Sequence, residues 1–207
     1  MDYVITFLIC VPGAALAIAA HEYVKALAST AFGDELPRKE GRLTVNPLRH
    51  IDPLGFIFML IFQLGWGKPV NTSALHYRDR RKNTVVVYVL PIIANVLIAT
   101  AFVCISGLIK NIETAHGTAQ YYIKEIIKVC ALINMNYAIF NILPVYPLSG
   151  AKILTAFLPP AGAIKYANYE KVLQIALVVL IILGFINQFF VGPVATSYLN
   201  GFYNLFS

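Results

Sequence analysis

The chain has 207 residues, of which 58% are hydrophobic and only 13% charged, with a formal net charge of +6 and a mean hydropathy of +0.70. A soluble globular domain carries about 25% charged residues, so this composition excludes a soluble enzyme, a disordered chain and a disulfide-stapled secreted module. A small polytopic membrane protein remains, read here as a single transmembrane domain over residues 1–207.

The first apolar unit begins with residues 4–20, which carry no charge, and extends to about residue 32. It lacks the basic start of a removable signal peptide and runs into polar residues rather than a cleavage site, so a retained transmembrane helix is expected. At about 40 Å it exceeds a hydrocarbon core of about 30 Å and should tilt or project. A polar stretch, 33–52, follows; Gly41, Thr44, Val45 and Pro47 suggest turns and a short strand pair. Residues 54–64 are apolar but span only about 16 Å as a helix, half a bilayer, which predicts a re-entrant or peripheral segment.

That short segment puts its two flanks on one face. Arg38, Lys39, Arg42 and Arg49 precede it; Lys68, Arg78, Arg80, Arg81 and Lys82 follow it. By the positive-inside rule the basic loops 38–49 and 68–82 are cytoplasmic and meet anionic lipid, and the amino terminus with Asp2 lies outside. The same location accounts for the basic excess without nucleic acid, which is not expected as a partner. Residues 84–109 form the next crossing, 110–124 an outer connection, and 126–143 a return crossing broken by Pro144 and Pro147. A cytoplasmic loop, 159–170, leads to the last crossing at 172–190, and an aromatic tail, 194–207, is expected at the interface. The fold class is therefore all-α and polytopic, with about four crossings plus the short insert. Cys10, Cys104 and Cys130 lie in apolar segments without C-x-x-C spacing and read as small buried hydrophobes.

Several residues are out of place in apolar helices. His21, Glu22 and Lys25 share one side of the first, at i,i+3 and i,i+4 spacings, where each polar group costs on the order of 2.5–3.5 kcal/mol at bilayer depth. An ordinary structural explanation is a Glu22–Lys25 ion pair with His21 packed beside it. A second polar cluster, Asn141, Pro144, Pro147, Ser149, Gly150 and Lys152, ends another crossing, and Asn95 with Pro91 forms a third.

Taken in order, these pieces resemble the site-2 protease family of intramembrane zinc metalloproteases, in its short bacterial form, over about residues 5–159. His21-Glu22-Tyr23-Val24-Lys25 stands where the family has H-E-x-x-H. Gly41-Arg42-Leu43-Thr44-Val45-Asn46-Pro47 with His50-Ile51-Asp52-Pro53 looks like its G-R-L-T-L-N-P and H-I-D-P. Gly65-Trp66-Gly67-Lys68-Pro69-Val70 looks like its G-W-A-K-P-V, while Asn141-Ile142-Leu143-Pro144 and Pro147-Leu148-Ser149-Gly150 resemble N-x-x-P and P-L-D-G.

The resemblance implies two histidines and one aspartate on a zinc ion, with the Glu beside the first His as general base. Here only His21 is kept among the ligands. Lys25 occupies the second His position, Ser149 the Asp position, and Glu22 keeps the general-base position. A lysine would have to be deprotonated to ligate, at a cost of about 4.6 kcal/mol at pH 7, and a serine hydroxyl is a weak neutral donor where zinc favours imidazole, thiolate or carboxylate. His50, His76, His116 and Asp52 offer no evident replacement set, and a Ser149–Lys25 nucleophile–base dyad would need an oxyanion hole and a lysine freed from Glu22. The favoured expectation is a pseudoprotease without cofactor, holding a transmembrane segment or assisting an active protease partner in the cell membrane, with Asn95, Asn141, Pro144, Pro147 and Gly150 lining the vestigial site. The alternative is an active intramembrane zinc endopeptidase with unusual ligands. A small transporter would explain polar residues at depth but not the ordered motifs, and there is no internal repeat.

Overall fold

A computed structural model describes residues 3–203; Asp2 and residues 204–207 of the expected tail lie outside the described residues. Among the described residues the regular structure is helical: α1 (Tyr3–Ala31), α2 (Leu36–Lys39), α3 (Pro53–Phe62), α4 (Arg80–Leu108), α5 (Ala119–Phe140), α6 (Ser149–Phe157), α7 (Pro160–Asn168), α8 (Glu170–Ile182) and α9 (Gly192–Tyr203), with 3₁₀ turns at Pro47–Arg49 and Ala74–His76. The expected strand pair is absent from the described residues. An isolated antiparallel bridge, Ile51 to Gly67, stands in its place, because Pro47, Pro53 and Pro69 lack the amide hydrogens a ladder would need.

Helices α1, α4 and α5 pack on one another and form the centre. Their starts follow local chemistry. Asp79 caps α4 by accepting the Lys82 amide at 3.0 Å, Thr118 caps α5 by accepting that of Tyr121 at 3.3 Å, and Asp52 caps α3 by accepting that of Gly55 at 2.8 Å, with Pro53 at the first helical position. Small residues let the central helices approach closely. Ala14 and Ala17 of α1 are fully buried, and a Cβ on Gly13 would come within 3.1 Å of the Cys130 Cα on α5.

Two helices, Val4–Ala31 and Arg80–Leu108, are long and apolar enough to cross a membrane. The segment expected as an insert forms the short apolar helix α3. The last crossing does not form as one straight helix. Glu170–Ile182 and Asn187–Phe202 meet at 76°, around Gly184 at φ +72°, a conformation that favours glycine. Helix α5, at 22 residues and about 33 Å, is long enough to span, but it carries Lys124, Glu125 and Lys128 in its first half. Length and composition thus support two crossings among the described residues, or three if the bent pair is one span, where four were expected. The segment 159–170, expected as a loop, contains helix α7 and the start of α8. In the described part of the tail, α9 packs against α4 and α5, burying Ala195 and Leu199.

Between α5 and α6 the chain turns through residues 141–148. Asn141 holds this turn from both sides. Its side-chain amide donates to the Tyr137 carbonyl at 3.0 Å, its side-chain oxygen accepts the Ser149 amide at 3.3 Å, and its backbone carbonyl accepts the Gly150 amide at 2.8 Å. A Cβ on Gly150 would collide with the Ile142 and Leu143 carbonyl oxygens, so a glycine is needed there for α6 to start so close to the end of α5. This turn carries Ser149 into the centre of the bundle.

Candidate functional site

His21, Glu22 and Lys25 project from α1, Asn95 from α4, and Ser149 from the first position of α6. All five are buried: His21, Asn95 and Ser149 completely, Glu22 and Lys25 to within 3%. The fold brings His21, Ser149 and Asn95 into one chain of hydrogen bonds. Asn95 Nδ2 donates to the Ala17 carbonyl at 3.0 Å and to Asn134 Oδ1 at 3.1 Å. A carbonyl can only accept, so the Asn95 amide is oriented with its oxygen toward His21, where it accepts from Nδ1–H at 2.9 Å. The His21 Nε2 atom then carries the lone pair, and the Ser149 hydroxyl donates to it at 2.9 Å. The Tyr137 ring stands edge-on to the imidazole, with centroids 5.2 Å apart.

Glu22 and Lys25 turn toward each other. Lys25 Nζ donates to Glu22 Oε1 at 2.7 Å and lies 5.5 Å from the centre of the Tyr88 ring. The second carboxylate oxygen of Glu22 accepts the Val70 amide at 2.7 Å. Gly67 makes that contact possible, since a Cβ there would lie 2.6 Å from Ile18 Cγ2 and 2.9 Å from the His50 carbonyl oxygen. The extended segment after Gly67 therefore runs against α1 and presents Val70 to Glu22.

The remaining residues of interest fall elsewhere. His50 is fully buried in a separate network, where Arg42 Nη2 approaches its Nδ1 at 3.5 Å and its Nε2–H donates to the Thr44 carbonyl at 2.7 Å. Burial pushes the His50 imidazole below its usual range, and the Arg42 charge adds to that while the Thr44 contact opposes it. Asp52 is the cap of α3. Pro144, expected to line the site, is exposed, and its carbonyl accepts the Tyr166 hydroxyl of α7. Pro147 lines an apolar groove of about 300 Å³ with Trp66, Tyr146 and residues of α8.

Zinc would need donors that this arrangement does not offer. His21 Nε2 faces a hydroxyl, the second ligand position holds a cation, and Glu22 is committed to Lys25 and Val70. Among the described residues, no three His, Cys, Asp or Glu side chains are grouped as a metal ion requires. The donor set does not fit zinc.

The Ser149–His21–Asn95 chain has the connectivity of a nucleophile, a base and an orienting amide. It lacks the rest of that machinery. The Ser149 and Gly150 amides, the nearest candidates for an oxyanion hole, are both taken by Asn141, and the serine is fully buried. The alternative Ser149–Lys25 dyad is not formed: Ser149 bonds His21 and Lys25 bonds Glu22. Sequence reasoning overlooked Asn134 and the Val70 amide. Asn134 lies seven residues before Asn141, two helical turns along the same face of α5, and that spacing was a usable signal. The Val70 contact is made by backbone and left no mark in the residue pattern.

Residues 4–184 match the model of peptidase family M50. The chain is 28% identical over 156 residues to the candidate zinc metalloprotease YwhC of Bacillus subtilis, covering 73% of this chain and 69% of that protein. It is 26% identical over 196 residues to the candidate zinc metalloprotease Rip2 of Mycolicibacterium smegmatis, covering 92% and 73% respectively. No solved structure matches the chain.

Proposed function

The chain belongs to peptidase family M50, the site-2 protease family, and we propose that within it this member is a pseudoprotease that binds or sequesters a transmembrane segment or assists an active protease. The observation that carries this reading is the closure of the ligand positions on one another. Ser149 occupies the lone pair of His21, and Lys25 supplies beside Glu22 the positive charge that a zinc ion would otherwise bring. A buried carboxylate needs such a partner, and one cation serves that need as well as another. The apolar groove lined by Trp66, Pro147, Ile175 and Val179 is the surface on which a partner's transmembrane segment would lie. The protein resides in the bacterial cell membrane as a multi-pass chain, with the basic loops 38–49 and 68–82 on the cytoplasmic side.

The names of the two relatives favour a second reading, an active zinc endopeptidase in which the metal displaces Ser149 and Lys25 from their present partners. Metal analysis of detergent-purified protein separates the two. The pseudoprotease contains well under one zinc per chain whether or not His21 is present; stoichiometric zinc that depends on His21 and yields to a chelator establishes the active reading.

A further inference from the structure

Beside the Gly67–Val70 segment lies a second pocket, of about 350 Å³, lined by Glu40, Arg42, Arg49, Lys68, Pro69 and Asn71. The volume is that of a small-molecule site, about 300–1,000 Å³. Three cations face one anion, and the anion is partly occupied, since Asn71 Nδ2 donates to Glu40 Oε1 at 2.9 Å.

Arg42 is the built part of this pocket. It is 6% exposed, a low value for a residue type almost never buried without a partner. Its Nη2 is anchored on the Lys68 carbonyl and against His50 Nδ1, which fixes the guanidinium at the pocket wall. A guanidinium held in place in this way is a pre-organised partner for a tetrahedral oxyanion. Arg49 and Lys68 are exposed and free to close on the same anion.

The surroundings identify the source of that anion. Leu48, directly before Arg49, is 78% exposed. An apolar side chain left bare beside a cationic pocket suits a molecule with a charged head and hydrocarbon tails. We propose that this pocket binds the phosphate of an anionic phospholipid headgroup, with Arg42, Arg49 and Lys68 on the phosphate and Leu48 against the acyl chains.

The test uses the full chain in detergent, with dioctanoyl phosphatidylglycerol, dioctanoyl phosphatidylcholine and inorganic phosphate titrated separately and bound adducts counted by native mass spectrometry. Phosphatidylglycerol should be retained well above phosphatidylcholine. The double variant Arg49→Gln with Lys68→Gln changes two exposed side chains and should weaken phosphatidylglycerol by roughly twenty-five-fold, from two basic groups each contributing about fivefold near an anionic surface. The control, Arg38→Gln with Lys39→Gln, removes equal charge from exposed positions on α2 outside the pocket and should change affinity by less than about twofold. An equal loss in the control would reduce the effect to diffuse attraction and overturn the site. Equal retention of phosphatidylcholine would overturn the role of charge, and inorganic phosphate binding as tightly as phosphatidylglycerol would overturn the lipid as the source.

Discussion

The Ser149 hydroxyl and the His21 Nε2 atom meet at 2.9 Å although 128 positions separate them in the chain. Two structural devices make that meeting possible. Asn95 fixes the tautomer that leaves Nε2 as acceptor, and Asn141 with Gly150 lets α6 begin against the end of α5. Both devices would serve equally well to aim an imidazole and a carboxylate at a metal, because a histidine held through Nδ1–H presents Nε2 to whatever lies beyond. In this chain the two side chains so positioned hydrogen-bond to one another.

Removing one member of the Glu22–Lys25 pair should destabilise more than removing both. The pair is buried, and a lone charge in such a setting typically costs about 3–5 kcal/mol. Lys25→Met leaves the carboxylate with the Val70 amide alone; Glu22→Gln leaves the ammonium over Tyr88 with no anion. In the double variant the Gln side chain can still accept from Val70, so its melting temperature in detergent should lie above that of either single variant. Strictly additive losses would show that the two groups do not interact.

The basic segments on either side of α3 are tied together at one end of the bundle. Asp34 accepts the Ser73 amide at 2.8 Å and the Ser29 hydroxyl at 2.7 Å, and Asn71 reaches Glu40. Arg38→Cys and Arg80→Cys, each in a background lacking Cys10, Cys104 and Cys130, should therefore react with an impermeant maleimide from the same side of the membrane, the cytoplasmic one. Labelling from opposite faces would rule out the half-inserted arrangement.

His50 makes stability depend on pH. Its pKa is lowered in the folded protein chiefly by burial, whereas in the unfolded chain it titrates near about 6.5. Above that pH both states are neutral at His50 and the full stability is present. As pH falls below it, the unfolded state binds a proton that the folded state refuses, and stability is lost by up to about 1.4 kcal/mol per pH unit until the folded pKa is reached. Melting temperatures between pH 8 and pH 5 should fall more steeply for the wild type than for His50→Gln. Parallel slopes would show that His50 takes its proton without cost.

The polar residues of the site were legible because apolar helices make them conspicuous: His21, Glu22, Lys25, Asn95 and Asn141 stand out from runs of Ile, Leu, Val and Ala. Their partners were legible only in part. Helical spacing put Glu22 within reach of Lys25, and that pair forms. Spacing along one helix says nothing about Ser149, which reaches His21 from another helix through a turn whose path depends on Asn141. The bend at Gly184 was hidden for a different reason. Hydropathy from 172 to 190 is continuous, and only the glycine's positive φ, invisible in composition, divides it. Residues 44–45 have strand-forming side chains, but the nearby prolines deny them a ladder.

If positions 25 and 149 are the ligand positions that the family resemblance implies, zinc binding should be recoverable by restoring them. Ser149 stands at the first position of α6, where a carboxylate is also favoured by the helix dipole, and Lys25 lies one turn along α1 from His21. Lys25→His with Ser149→Asp should therefore place two imidazoles and a carboxylate around a common point, with Asn95 still holding His21 through Nδ1 and Val70 still holding Glu22. The wild type should bind well under one zinc per chain. The double variant should approach one, and adding His21→Ala should remove it. Activity need not return with the metal. A double variant that stays metal-free would mean that positions 25 and 149 do not converge on His21 closely enough to share an ion, and the correspondence of Ser149 with the family's aspartate would fall with it.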